Sequence, residues 1–260
     1  MPRNRKPSVV SLLPVSFSDE IRPGDDLVEK LARALRHQKL RLHDGDILVV
    51  KHKIVSKAEG RMLRLSEVRP SRAAQAWAPK SGADARLVQL VFDESRRILR
   101  KKTIAGRGVL ISETHHGLIC ANAGVDVSNV DGGVHAVLLP KNPDRSATRL
   151  RLAIKKEFGV SVAVIITDSF GRPWREGLTE VAIGVAGMKA LRDDRGKADA
   201  HGYKLRASAE ALADEAACAA GLVCGKLNRT PVCILRGVSY EQGRGSAREL
   251  LRPRRNDLFR

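Results

Sequence analysis

The chain has 260 residues, 43% apolar and 29% charged, with 47 Lys and Arg against 29 Asp and Glu. That balance supports a folded globular core and excludes wholesale disorder, and no apolar run reaches the ~20 residues that span a bilayer. The net charge of +18 attracts polyanions, but the basic residues are spread along the chain and aromatics are only 3%, which fits a solvated basic surface better than dedicated nucleic-acid binding.

In chain order, the apolar patch at 9–15 is short and broken by Ser11 and Pro14, so no signal peptide is read. Gly24-Asp25-Asp26 starts a helix that carries Leu27, Leu31 and Leu35. Asp44-Gly45 is a turn before a strand at 47–50. Further helices are expected at 71–77 and 84–100, the latter burying Leu87, Leu90, Val91 and Ile98. Strands follow at 109–112, 118–121 and 134–139. A helix capped by Asp144 or Ser146 runs to Phe158, and the strongest strand, 162–167, ends at Asp168. A strand at 181–185, an alanine-rich helix at 208–223 and a strand at 231–235 complete the pattern. Strands and helices mix without a regular βαβ order, which gives α+β. Residues 1–238 form one expected domain, and the Gly- and Arg-rich stretch 239–260 a flexible tail. The four cysteines (Cys120, Cys218, Cys224, Cys233) lack metal-ligand spacing, as in a reduced cytoplasmic protein.

Four polar segments interrupt the apolar strands. Residues 52–61 offer Lys57 and Arg61 to phosphates, although a charged helix start explains them as simply. Residues 122–129 combine turn formers with hard oxygen donors, Asp126 and Asn129, suited to magnesium or a nucleotide edge. Residues 167–177 place Asp168 and Ser169 at a strand end, with Arg172 and Arg175 able to clamp an anion. Residues 224–230 either close over a nucleotide or simply end a helix. No P-loop and no strand-linked Gly-x-Gly-x-x-Gly is present. The residues alone lead to a metal- and phosphate-dependent site built from several loops.

Taken together, Ile21-Arg-Pro-Gly-Asp-Asp26, Asp44-Gly-Asp46, Ile54-Val-Ser-Lys-Ala-Glu-Gly-Arg61, His116-Gly117, Asn122-Ala-Gly-Val-Asp126 with Ser128-Asn129, Thr167-Asp-Ser-Phe-Gly-Arg-Pro-Trp-Arg-Glu-Gly177 and Ala182-Ile-Gly-Val-Ala-Gly187 resemble the coenzyme F420-0:gamma-glutamyl ligase family over nearly the whole chain. The resemblance implies an α+β fold, an intertwined homodimer, and a ligase that adds L-glutamate to the side chain of the deazaflavin coenzyme F420-0. It implies GTP as co-substrate, two divalent ions (magnesium or manganese), and potassium as a helper. Carried over, Asp126 and Asp168 hold the first divalent ion and Ser169 the second. Ser18, Asp19, Glu20, Ile21, His52, Lys53, Lys57, Asn129, Cys224, Gly225 and Lys226 contact GTP. Lys57, Arg172 and Arg175 serve the chemistry.

Some positions depart from the family pattern. Lys226 stands where archaeal members carry a metal-binding Glu, His52-Lys53 replaces small polar residues, and Asp199-Ala-His-Gly-Tyr203 replaces an Asp-x-Tyr-Gly-Arg run. The alternatives are a same-family ligase with another carboxylate acceptor, and a basic nucleic-acid-binding or scaffold protein on the same fold.

Overall fold

The computed structural model describes residues 9–104, 106–128 and 130–258. Its elements are β1 (Ser11–Val15), α1 (Leu27–His37), β2 (Ile47–Lys51), α2 (His52–Ala58), β3 (Met62–Arg64), α3 (Arg72–Ser81), α4 (Ala85–Asp93), β4 (Ser95–Ile104), β5 (Arg107–Thr114), β6 (Ile119–Ala121), β7 (His135–Val137), α5 (Pro143–Phe158), β8 (Ala163–Arg172), β9 (Arg175–Met188), β10 (Arg192–Asp193), β11 (Ala209–Glu210), α6 (Leu212–Cys224), β12 (Val232–Arg236) and β13 (Gln242–Gly243). The architecture is mixed α+β, as expected.

The main sheet has the order β1-β12-β2-β8-β9-β13. Its pairs are antiparallel except β2 with β8, which run parallel from Ile47↔Ala163 to Lys51↔Thr167. Both faces of the sheet are covered, so its central strands are apolar throughout rather than alternating. Leu48, Val50, Val164, Ile166 and Ile234 pack beneath α1 and α5. Ile47, Val49, Ala163, Ile165, Cys233 and Leu235 pack beneath α6. Successive side chains point to opposite faces, so one run of sequence supplies two cores. Pro14 is tolerated because β1 is an edge strand. Smaller clusters fill a second unit built from α3, α4, β3–β7 and the β4-β5-β6 sheet.

Several expectations need correction. The helix expected at 84–100 stops at Asp93, and Ser95–Ile104 is strand β4 paired with β5. Arg97 there reaches across the pair to the buried Glu113, with Nε 2.7 Å from Oε2. Helix α5 is capped by Asn142, whose side chain accepts from Arg145 N, with Pro143 in the first turn. Asp144 instead accepts from the backbone N–H groups of Val185 and Ala247 at 2.8 and 2.9 Å. The stretch read as a tail contributes β13 to the sheet and Ala247 to the core under α6. Among the described residues no helix is long and apolar enough to cross a membrane.

Candidate active site

The expected strand end at Asp168 is not an end. β8 continues to Arg172 and pairs with β9 in a long hairpin, closed by Pro173 and by Trp174 in a left-handed conformation (φ 56°). Between Ile166 and Thr167 the register slips: Ile166 faces Gly184 and Thr167 faces Ala182. Ile183 is the extra residue of this bulge, a device that re-aims side chains. Just past it the strand turns polar, so the apolar core gives way to Thr167, Asp168 and Ser169 beside the C-terminal end of β2.

The chain leaves β2 directly into α2, which brings three basic side chains, His52, Lys53 and Lys57, to that crevice. His52 is 2% exposed. Its Nε2 lies 3.3 Å from Asp168 Oδ1 and its Nδ1 3.3 Å from Ser56 Oγ, so it faces the interior. Lys53 Nζ lies 2.7 Å from Asp126 Oδ2 and donates to Ser128 O and Oγ at 2.8 and 2.9 Å. Burial opposes charge on Asp126, but Lys53 and the Ser128 N–H and hydroxyl hold its carboxyl below the usual range. Asp126 is positioned by a reciprocal backbone pair with Val137, which fixes it against the end of β7.

Lys57 lies one turn beyond Lys53 and is only 6% exposed, with Nζ 3.2 Å from Glu20 Oε2. Arg229 Nη2 lies 3.2 Å from the other oxygen of Glu20. Glu20 thereby joins three separate predicted segments: 18–21, α2 and the loop after α6. Partial burial raises its pKa, but the two cations hold it below the usual value. A cavity of about 190 Å³ next to this junction is lined by Ser18, Asp19, Lys30 and Arg33. Cys224 is the buried last residue of α6, with its thiol on that of Cys233, while Gly225, the C-cap, and Lys226 are exposed. Asn129 lies outside the described residues.

Arg172 and Arg175 are not part of this crevice. They face each other in register at the hairpin tip, four residues beyond Asp168, or ~13 Å along the strand. Arg172 Nη2 donates to Glu176 O at 2.9 Å. The sequence reading missed Lys51 and Glu180. Lys51 ends β2 and pairs with Glu180 Oε1; Glu180 also accepts from Thr167 Oγ1 at 2.8 Å and Ser169 Oγ at 2.7 Å. An acidic residue directly before the apolar run 181–186 was the available signal.

The donors suit a hard divalent ion. Among the described residues no three His, Cys, Asp or Glu side chains converge as a metal cluster. Asp126 and Asp168 are carboxylates, each already faced by a basic side chain. Magnesium typically uses one or two carboxylates and completes its shell with waters and phosphate oxygens, so this sparse oxygen set fits an ion that arrives with a phosphorylated ligand.

The chain is also similar to known proteins over most of its length. The family model for F420-0:Gamma-glutamyl ligase matches residues 17–237. The Coenzyme F420:L-glutamate ligase of Methanopyrus kandleri is 42% identical over 252 residues, covering 95% of this chain and 96% of its own. That of Methanothermobacter thermautotrophicus is 42% identical over 254 residues, covering 96% and 99%. That of Methanocaldococcus jannaschii is 42% identical over 220 residues, covering 84% and 86%. With parts of these motifs meeting where β2 runs into α2 beside β8, and with a relative matched over 95% of its length, this chain is an enzyme of the ligase class and belongs to the F420-0:gamma-glutamyl ligase family.

Proposed function

We propose that this enzyme joins L-glutamate, through its α-amine, to the terminal carboxylate of coenzyme F420-0 at the expense of GTP, any further glutamate being joined by a gamma linkage to the γ-carboxylate of the one before it. The supporting observation is the meeting of Lys57, Asp126 and Asp168 around α2, in a chain 42% identical to ligases named for this coenzyme.

In this reading the acceptor carboxylate attacks the γ-phosphorus of GTP and GDP leaves. The amine of glutamate then attacks the acyl carbon and releases phosphate. Lys57 holds the triphosphate as a point charge from a nearly buried position, where solvent screens it little. Asp126 and Asp168 hold one divalent ion and Ser169 a second; bound magnesium or manganese supplies charge neutralisation on the phosphoryl oxygens. His52 fixes the orientation of Asp168 from behind. Glu20 holds Lys57 and Arg229 in place until the nucleotide's own negative charge competes for them. The exposed Arg175 and the half-buried Arg172 offer positive charge to the polyanionic acceptor. The same reading includes a homodimer in the cytoplasm, which sedimentation of the purified chain checks.

The test is incubation with GTP, L-glutamate, manganese and F420-0, followed by mass analysis. Gain of a glutamyl residue with release of GDP supports the proposal. GTP consumption that depends on glutamate but leaves F420-0 unmodified points to another carboxylate acceptor. No glutamate-dependent turnover of GTP overturns the proposal.

A further inference from the structure

Glu180 is 8% exposed and lies within β9 where the exposed residues 175–178 give way to the buried run 182–186. It is the cross-strand partner of Ser169, and both side chains lie on the α6 side of the sheet. Each carboxylate oxygen is engaged. Oε1 accepts from Ser169 Oγ at 2.7 Å and pairs with the Lys51 ammonium. Oε2 accepts from Thr167 Oγ1 at 2.8 Å. The α6 surface is shaped to admit this side chain: a Cβ at Gly221 would come within 2.9 Å of Glu180 Cγ, and Cys218 Sγ donates to the Glu180 carbonyl at 3.1 Å.

A serine hydroxyl has one proton and two lone pairs. In this arrangement the proton of Ser169 is committed to Glu180, so the oxygen offers only lone pairs to anything else. Without that acceptor the hydroxyl is free to turn its proton toward an approaching cation. Glu180 also neutralises Lys51, whose unpaired ammonium would repel a dication nearby. That same ammonium disfavours direct ligation of a dication by Oε1.

We infer that Glu180 is a positioning residue, which orients the Ser169 hydroxyl as a cation acceptor and cancels the charge of Lys51 beside it. The inference rests on the reading above that Ser169 holds the second divalent ion. It also supplies a carboxylate near that ion in a chain where Lys226 stands at the family's usual acidic position. Outer partners of this kind commonly change metal affinity roughly 10- to 100-fold when removed.

The test counts Mn²⁺ bound to the full chain by electron paramagnetic resonance, in the presence of a non-hydrolysable GTP analogue. The expected wild-type stoichiometry is two, falling to one in Ser169→Ala. Glu180→Gln should weaken the second Mn²⁺ roughly 10- to 100-fold and leave the first unchanged. The double variant Lys51→Met/Glu180→Leu removes the acceptor of the Ser169 proton together with both charges, avoids a buried unpaired lysine, and should show the same selective loss. Two wild-type-affinity ions in either folded Glu180 variant overturn the inference while leaving the metal reading intact. If Ser169→Ala binds as many ions as the wild type, the metal reading fails and the role of Glu180 falls with it.

Discussion

Residues 167–169 and 172–175 belong to one hairpin and one continuous motif, yet they occupy different surroundings. At the base, Thr167 is 1% exposed and its neighbours are held by Lys51, His52 and Glu180. At the tip, Trp174 is 81% exposed, and Arg172 and Arg175 face each other across the turn. The backbone pairing is the same in both places; what differs is coverage. At the base, α2 and α6 flank the strand and keep its charges in a medium where they act strongly. At the tip, solvent screens them. A motif read as one unit therefore divides into a preorganised part and an exposed part, and substitutions should have graded effects along it.

The largest effect should come from the base. Asp168→Asn keeps the shape and the contact with His52 but removes a negative charge where the divalent ion is proposed. Glutamate addition should fall roughly 10²- to 10³-fold, corresponding to several kcal/mol of lost stabilisation in the transition state, with weaker Mn²⁺ binding and a near-normal melting curve. Turnover within a few-fold of wild type in the folded variant would remove Asp168 from the metal site and erase the contrast with the tip.

A smaller change is expected at Lys57, also in the covered region. Lys57→Ala should raise the GTP concentration needed for half-maximal rate roughly 10- to 100-fold, a loss of about 1.5–3 kcal/mol for a charge-assisted contact. Titration of rate against GTP at saturating glutamate measures it. An unchanged GTP requirement would reduce Lys57 to the Glu20 ion pair seen in the structure.

Burial also predicts a pH response. His116 donates from Nε2 to Pro140 O at 2.9 Å, just before the Asn142 cap of α5. Burial pushes its pKa below the ordinary 6.5, though the carbonyls of Lys141 and Pro140 oppose the shift. The folded state therefore resists the proton that the unfolded chain accepts. The stability from a neutral His116 is fully present above pH 6.5 and is lost as pH falls through the lower folded value. Denaturation midpoints should drop on mild acidification, and the drop should be shallower in His116→Gln. An equal acid slope in both proteins would assign the loss elsewhere.

Where burial and periodicity coincide, much of this was legible in advance. The run 162–167 announces a fully covered strand, and Leu31 and Leu35 with the Asp26 cap announce α1. Asp126, Asp168 and Lys57 were legible as hard donors and a cation beside glycines or strand ends. The continuation of β8 past Asp168 was not, because polar residues after an apolar run look like a loop. A strand-forming partner 11 residues away, Glu180 for Ser169, becomes visible only in the pairing. Strand β4 was hidden for a related reason: its Arg and Lys side chains match the polar face of the preceding helix, and only the Arg97–Glu113 pairing across to β5 reveals the strand. The glycines of 184 and 187 carried the resemblance without an evident reason. At Gly184 a Cβ would meet the Pro143 backbone at 2.5 Å, so this position sets how closely α5 approaches the sheet beneath the site.

The smallest effect belongs to the tip. Arg175 is exposed and directly follows the turn, so its charge acts through solvent and contributes like a surface ion pair, about 0–1 kcal/mol. If it steers or loosely holds the polyanionic acceptor, Arg175→Ala should raise the acceptor KM by no more than about fivefold and leave kcat unchanged. The difference from wild type should shrink as salt is raised, since at 0.15 M the screening length is already about 8 Å. A change in kcat of tenfold or more, insensitive to salt, would mean that the tip is covered during turnover. Its exposed Trp174 and Leu178 would then be buried in the working enzyme, and the contrast between base and tip would hold only for the isolated chain.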